Sequence, residues 1–135
     1  MTAKEYMIRV RKAEGELEML AARKRHYQDL ILHMGASPDA DRVQHGISSK
    51  TETVAVGLVS LTEKINLKMA EYEKVVTEAE ALIKKLPQEK FQKVLTFRYL
   101  CGHSWKLIQD ELDYGDAKSV FRCHGYALKE LQKLL

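Results

Sequence analysis

Cysteine and proline are scarce in this chain: Cys101 and Cys123, Pro38 and Pro87, in 135 residues. Two cysteines are too few for a disulfide framework. The opening Met1-Thr-Ala-Lys-Glu carries no apolar core for a secretion signal, so a reduced cytoplasm is the expected compartment. No run of about eighteen apolar residues exists, and no membrane span or membrane partner is expected. A dominant charge sign is lacking too. Twenty-two Lys and Arg stand against 19 Asp and Glu, for a net +3, which permits a polyanion partner without requiring one. Two prolines and seven glycines leave few breaks, and long helices are the expectation.

The elements of catalysis are missing as well. There is no glycine-rich phosphate loop, no nucleophile motif and no pair of carboxylates set in a cleft. Five histidines, at 26, 33, 45, 103 and 124, are scattered. Cys101, His103, Cys123 and His124 offer zinc-ligand types, but Cys-x-His followed by Cys-His is not a standard ligand spacing. Adjacent helical residues also point about 100° apart, which keeps Cys123 and His124 from sharing one tetrahedral ion. Cys123 reads better as a small buried residue. No enzymatic activity, metal or cofactor is expected.

What is present is helical periodicity. From Lys4 to Met34, the residues Tyr6, Val10, Ala13, Leu17, Leu20, Tyr27, Ile31 and Met34 fall at alternating steps of four and three, with Lys24 in the one gap. That is a heptad seam. Cations and carboxylates mix outside it, the pattern of a solvated face rather than a phosphate-binding edge. The breaker-rich stretch 35–50 is read as a flexible linker, with Gly35 ending the helix and Pro38 preventing its continuation. Ser48 or Ser49 is expected to cap the next helix, Ser49 and Glu52 forming a capping box. A second seam over 51–86 uses Val54, Leu58, Leu61, Ile65, Tyr72, Val75, Ala79, Leu82 and Leu86, with Lys68 in its gap. Two arms of similar length, about 4–34 and 51–86, imply an antiparallel helical hairpin over 1–86, with Met34 near Val54 and Tyr6 near Leu82. Pairing of arms between two chains, as a homodimer, is left open by heptads alone.

Pro87 breaks the second arm, and 87–135 reads as a separate three-helix unit. Its helices are expected at about 88–100, 105–112 and 117–134. Ser104 and Asp116 are cap candidates for the second and third, and Gly115 in Asp113-Tyr114-Gly115 is the residue expected to make the turn. The expected core is Phe91, Val94, Leu95, Leu100, Trp105, Ile108, Leu112, Val120, Cys123, Ala127, Leu128 and Leu131. The last two helices form a helix-turn-helix. Ala117, Lys118, Phe121 and Arg122 then face outward near the start of the final helix, where such a motif reaches base edges in the major groove. Ser119 is a candidate donor to phosphate, and Lys106 is placed to meet a phosphate because its helix crosses the backbone. Arg98 is expected to hold the following turn or a carboxylate, Asp110 or Glu111.

The string Leu86-Pro-Gln-Glu-Lys-Phe, followed by Val94-Leu-Thr-Phe-Arg-Tyr-Leu-Cys-Gly-His-Ser-Trp-Lys-Leu-Ile, resembles region 4 of sigma factors. There, a helix ending in Leu-Arg-Tyr leads into the helix-turn-helix. Val120 with Ala127-Leu128 is similar to that family's recognition-helix pattern. Trp105, the Tyr114-Gly115 turn and the long arms resemble one offshoot, the small phage late transcription regulators of the ArpU/RinA type. The first resemblance spans about 86–135, and the second spans most of the chain by pattern alone. The chain departs from a full sigma factor in having nothing like a promoter-melting region. The resemblance implies an all-α transcriptional regulator that binds double-stranded DNA, an activator of late genes, with host RNA polymerase as a further partner. A small terminase subunit for DNA packaging, a polymerase-binding module without DNA readout, and a purely structural coiled coil are the alternatives. Residues 87–135 carry eight Lys and Arg against six Asp and Glu, a balance that keeps the second of these open.

Overall fold

The computed structural model describes residues 1–35 and 44–135, and every regular element among them is helical. The order is α1 (Ala3–Gly35), α2 (Gln44–Ile83), α3 (Glu89–Leu95), α4 (Trp105–Glu111) and α5 (Ala117–Leu134). A π-helical turn over Thr96–Leu100 extends α3. No described helix is long and apolar enough to cross a membrane. The chain forms two compact units. One joins 1–14 to 71–135, and the other is 15–70. The arms therefore contribute to both units, and the Leu86–Pro87 boundary expected between domains falls at a turn inside the first.

In the first unit, α5 lies on α3 and α4. Its inner stripe of Val120, Cys123, Ala127 and Leu131 is buried, at the helical spacing expected. Phe91, Val94, Leu95 and Ile108 meet it, with Leu100, Trp105, Leu112 and Leu128 packed at the edge. The same core also takes Ala3, Tyr6, Met7 and Val10 from α1 and Ala79, Ile83 and Leu86 from the end of the second arm. Met7 lies off the heptad seam and has no exposed surface at all.

The helix ends account for their free amides. Thr2 and Glu5 form a reciprocal capping box on α1: the Glu5 amide donates to Thr2 Oγ1 and the Thr2 amide to Glu5 Oε2, both at 3.1 Å. The Ala3 amide donates to Gln132 Oε1 of α5 at 2.7 Å, tying the first turn of the chain to its last helix. Ser104 Oγ accepts from the Leu107 amide and Asp116 Oδ1 from the Ser119 amide, as the sequence led us to expect. After α2, Gln92 Nε2 donates to the Leu86 carbonyl across the Pro87 turn.

In the second unit the helices run antiparallel, since residue numbers rise along α1 as they fall along α2. Glu16 meets Lys68 at 3.0 Å, the Tyr27 ring lies against Gly57, and Thr51 Oγ1 donates to Met34 Sδ. Met34 thus sits one turn from its expected neighbour Val54. Every seam position of both arms is buried or half-buried. Lys24 and Lys68 are half-buried in the gaps, stems along the stripe, and Lys68 delivers its ammonium to Glu16.

Two expectations are corrected. First, α2 begins at Gln44, not near Thr51, so Ser49 is interior and caps nothing. Ser and Thr cost little in a helix, and Thr53 Oγ1 bonds back to the Ser49 carbonyl at 3.0 Å. Of the linker read over 35–50, residues 36–43, including Pro38, lie outside the described residues. Second, the left-handed residue between α4 and α5 is Asp113, at φ 56°, and not Gly115. Asp tolerates that region better than most side chains. Leu107, outside the expected core, is 43% exposed.

Two stability measurements test this packing. Met7→Ala should lower unfolding free energy by about 2–5 kcal/mol in chemical denaturation, whereas Leu107→Ala should fall within about 0.5 kcal/mol of the parent. Equal effects would remove α1 from the core. Gly15 sits inside α1, and a Cβ there would meet nothing within 4 Å. Gly15→Ala should therefore raise stability by about 1 kcal/mol, read as an upward shift in melting temperature.

Candidate functional site

The outward side of α5 is the largest feature that the core leaves unused. Ala117, Lys118, Phe121 and Arg122 are all exposed. They share a face because residues three and four apart on a helix are neighbours. The face continues through Gly125, Tyr126 and Lys129, three positions that sequence reading left out. The signal was available: Tyr126 stands one turn beyond Arg122, and Gly125 seven residues beyond Lys118. Phe121 is 49% and Tyr126 51% exposed. Lys129 Nζ lies 5.9 Å from the Tyr126 ring centroid. Lys106 is exposed on α4. Ser119 is half-buried, and its amide and side chain both bond Asp116, so it belongs to the cap as much as to the face. Those bonds, the side-chain one first, hold the Asp116 carboxyl below its ordinary range, with Arg122 adding to the effect.

An aromatic group fixes one edge of this face. Trp105 meets Phe121 edge-on at 5.3 Å between centroids and His124 edge-on at 4.7 Å. The Arg98 guanidinium sits 4.3 Å from the Trp105 centroid and donates to the His103 carbonyl at 3.0 Å. Arg98 therefore holds the turn, as expected. The carboxylate considered for it goes elsewhere: Glu111 Oε1 is 2.7 Å from His103 Nδ1. The turn itself needs Gly102, whose φ of 71° is in the left-handed region. Phe121 packs on Trp105 while leaving about half of its surface exposed.

Behind Trp105, Tyr99 Oη and His124 Nε2 are 2.8 Å apart. Burial lowers the His124 pKa to about 4, and the nearby positive charges of Lys4 and Arg98 push the same way. Burial also raises the Tyr99 hydroxyl. At neutral pH the imidazole is uncharged, with one ring nitrogen carrying the proton and the other free to accept, so the tautomer sets the direction of this bond. Cys123 is buried, its Sγ 3.8 Å from the Lys90 carbonyl, and Cys101 is exposed. Among the described residues no three His, Cys, Asp or Glu side chains gather into a metal site.

Arg98, Tyr99, Gly102, Trp105 and His124 also line a cleft of about 470 Å³, closed on its other side by Lys4, Ile8 and Arg11 of α1. On the opposite flank of the face, Lys90, Tyr114, Ser119, Arg122, Cys123 and Tyr126 border a shallower hollow. The helix face is thus bordered on both sides by concave surface whose charged lining residues are all cations. What this arrangement presents chemically is cations, exposed aromatic rings and hydroxyls, groups suited to binding.

No curated protein and no solved structure matches the chain. One family model does, over residues 32–132, and its description reads "Protein of unknown function (DUF1492)". That match takes in all of α2, α3 and α4 and most of α5, including the whole exposed face, and by it the chain belongs to the DUF1492 family.

Proposed function

We propose that this protein is a DNA-binding transcriptional regulator of a phage or prophage, an activator of late genes. In this reading α4 and α5 are a helix-turn-helix of the kind found in sigma factor region 4, and α5 enters the major groove. The observation that carries it is the division of α5. One side is buried throughout, and the other keeps Lys118, Phe121, Arg122 and Tyr126 exposed in consecutive turns. An exposed half-apolar face is costly to leave in water unless it meets something. Arg122 would read a base edge, where a bidentate contact discriminates by about 1–3 kcal/mol. Lys118 and Lys106 would meet phosphates, Phe121 a thymine methyl, and Ala117 would permit close approach. Ser119 would add a hydroxyl at the edge of the cap. The antiparallel arms would form a helical hairpin that sets spacing, either by homodimerising or by docking on host RNA polymerase.

A second reading is supported by the near balance of charge in 87–135 and by the aromatic character of the same face. It is a polymerase-binding module without DNA readout, for which Phe121, Tyr126 and Leu107 would be protein contacts.

Binding of the purified chain to promoter fragments over a salt series separates the two. Arg122→Ala should weaken the specific site about 10-fold or more while leaving non-specific binding nearly unchanged, and Lys118→Ala should weaken both. Absence of wild-type binding at low salt, or an Arg122→Ala protein that binds like its parent, would sink the DNA reading. Retained capture of core RNA polymerase under those conditions would favour the second.

A further inference from the structure

The cleft beside Trp105 has a composition that the helix-turn-helix does not explain. Lys4, Arg11 and Arg98 line it together with Trp105 and Tyr99, and no carboxylate does. Two of its three cations come from α1, whose charged residues looked from sequence like a merely solvated face. Those residues belong to the same compact unit as α5. Lys4 is exposed, and no ion pair engages it among the described residues. Arg11 pairs with Glu14 through Nη1. Its guanidinium stands over Gly102, so close that a Cβ there would lie 2.7 Å from Nη1. Arg98 is fixed in place by Trp105 and the His103 carbonyl, and its remaining N–H groups are available to a ligand.

Three cations line the cleft, Glu14 pairs with only one of them, and the positive potential that remains is relieved by an anion. Guanidinium groups suit phosphate oxygens in particular, because their N–H pairs match two oxygens at once. A carboxylate ligand would be matched as well, but the cleft continues from the edge of the α5 face through the Trp105–Phe121 contact. A strand lying along α5 would bring its backbone to that edge.

We propose that this cleft binds a phosphate group, a backbone phosphodiester of nucleic acid bound at α5, and that Lys4 and Arg11 make the start of α1 part of the binding surface. The choice of strand phosphate rests on the DNA-binding reading above. The cleft's affinity for the phosphate group does not, since a free phosphate compound presents the same oxygens. Trp105 is the one tryptophan of the chain and lines the cleft, so its fluorescence reports occupancy directly.

The test uses the full chain and the double variant Lys4→Ala/Arg11→Gln, with Lys4→Ala alone as the milder change should the double one unfold by circular dichroism. Arg98 is left intact because it holds the turn. Non-specific duplex DNA should shift Trp105 emission in wild type. In the double variant that shift should be lost, and the slope of log Kobs against log salt should flatten by about two. If DNA binds but slope and emission are the same in both proteins, the proposal is overturned while the function of α5 stands. If wild type binds no DNA, the reading of α5 fails, and pyrophosphate alone becomes the probe. A saturable Trp105 response that Lys4→Ala/Arg11→Gln abolishes would then support the cleft as a phosphate site, and no response would overturn it.

Discussion

Burial of the inner stripe of α5 is the constraint on which the first unit depends. Val120, Ala127 and Leu131 have no exposed surface, and Cys123 almost none. Helices as short as α3 and α4, seven residues each, cannot enclose such a stripe alone. A unit of about fifty residues buries too small a fraction of its surface to be comfortably stable. Ala3, Tyr6, Met7 and Val10, with Ala79, Ile83 and Leu86, complete the enclosure. The bond from the Ala3 amide to Gln132 fixes where the first turn of α1 meets α5. The ends of the arms are therefore components of the same unit as α3, α4 and α5, and the remainder of the arms, 15–70, is compact in its own right.

That enclosure leaves the other side of α5 free of structural duty. Its residues can be chosen for contact, and the two exposed aromatics make the point. Tyr126 and Phe121 are half in water, although the core would have accepted apolar groups of their size elsewhere. The Trp105 group limits how far the face can move. Arg98 on one ring face, with Phe121 and His124 at its edges, fixes the indole from three directions. The neutral state of His124 matters here, because a charged imidazole in that place would lie beside the positive charges of Lys4 and Arg98.

Much of this was legible in the residues. The two seams, the caps Ser104 and Asp116, the twelve core positions of 87–135 and the burial of Cys123 follow from periodicity and from the chemistry of helix ends, both of which act over a few residues. What sequence could not supply was long-range. Met7 is off the heptad and looks like a surface methionine until α3 and α5 are folded over it. Gln132 as the acceptor for Ala3, and Lys4 and Arg11 beside Arg98, depend on residues about ninety or more positions apart coming together. Asp113 was missed for a local reason: a glycine two residues on drew the turn assignment, although an aspartate can adopt the same left-handed backbone. The early start of α2 was missed because serines beside a glycine suggest a cap, while the helix continues through them.

Charge is the least informative property of the face, and its arrangement the most. Asp116, the cap of α5, is ionised and lies close enough to Arg122 to be felt electrostatically. Bulk attraction to a polyanion at the start of α5 is thereby reduced, and so is the part of any binding that ignores sequence. What remains favours contacts that need geometry: a guanidinium held one turn from Lys118, an aromatic ring fixed by Trp105, a tyrosine another turn along. In the proposed reading, cations outside α5 would then supply the electrostatic part of affinity, and Lys4, Arg11 and Arg98 are grouped where they could do so. Such a division places discrimination on one helix and general attraction on its neighbours. It accounts for how a chain with a net charge of only +3 could still be selective for a nucleic-acid partner.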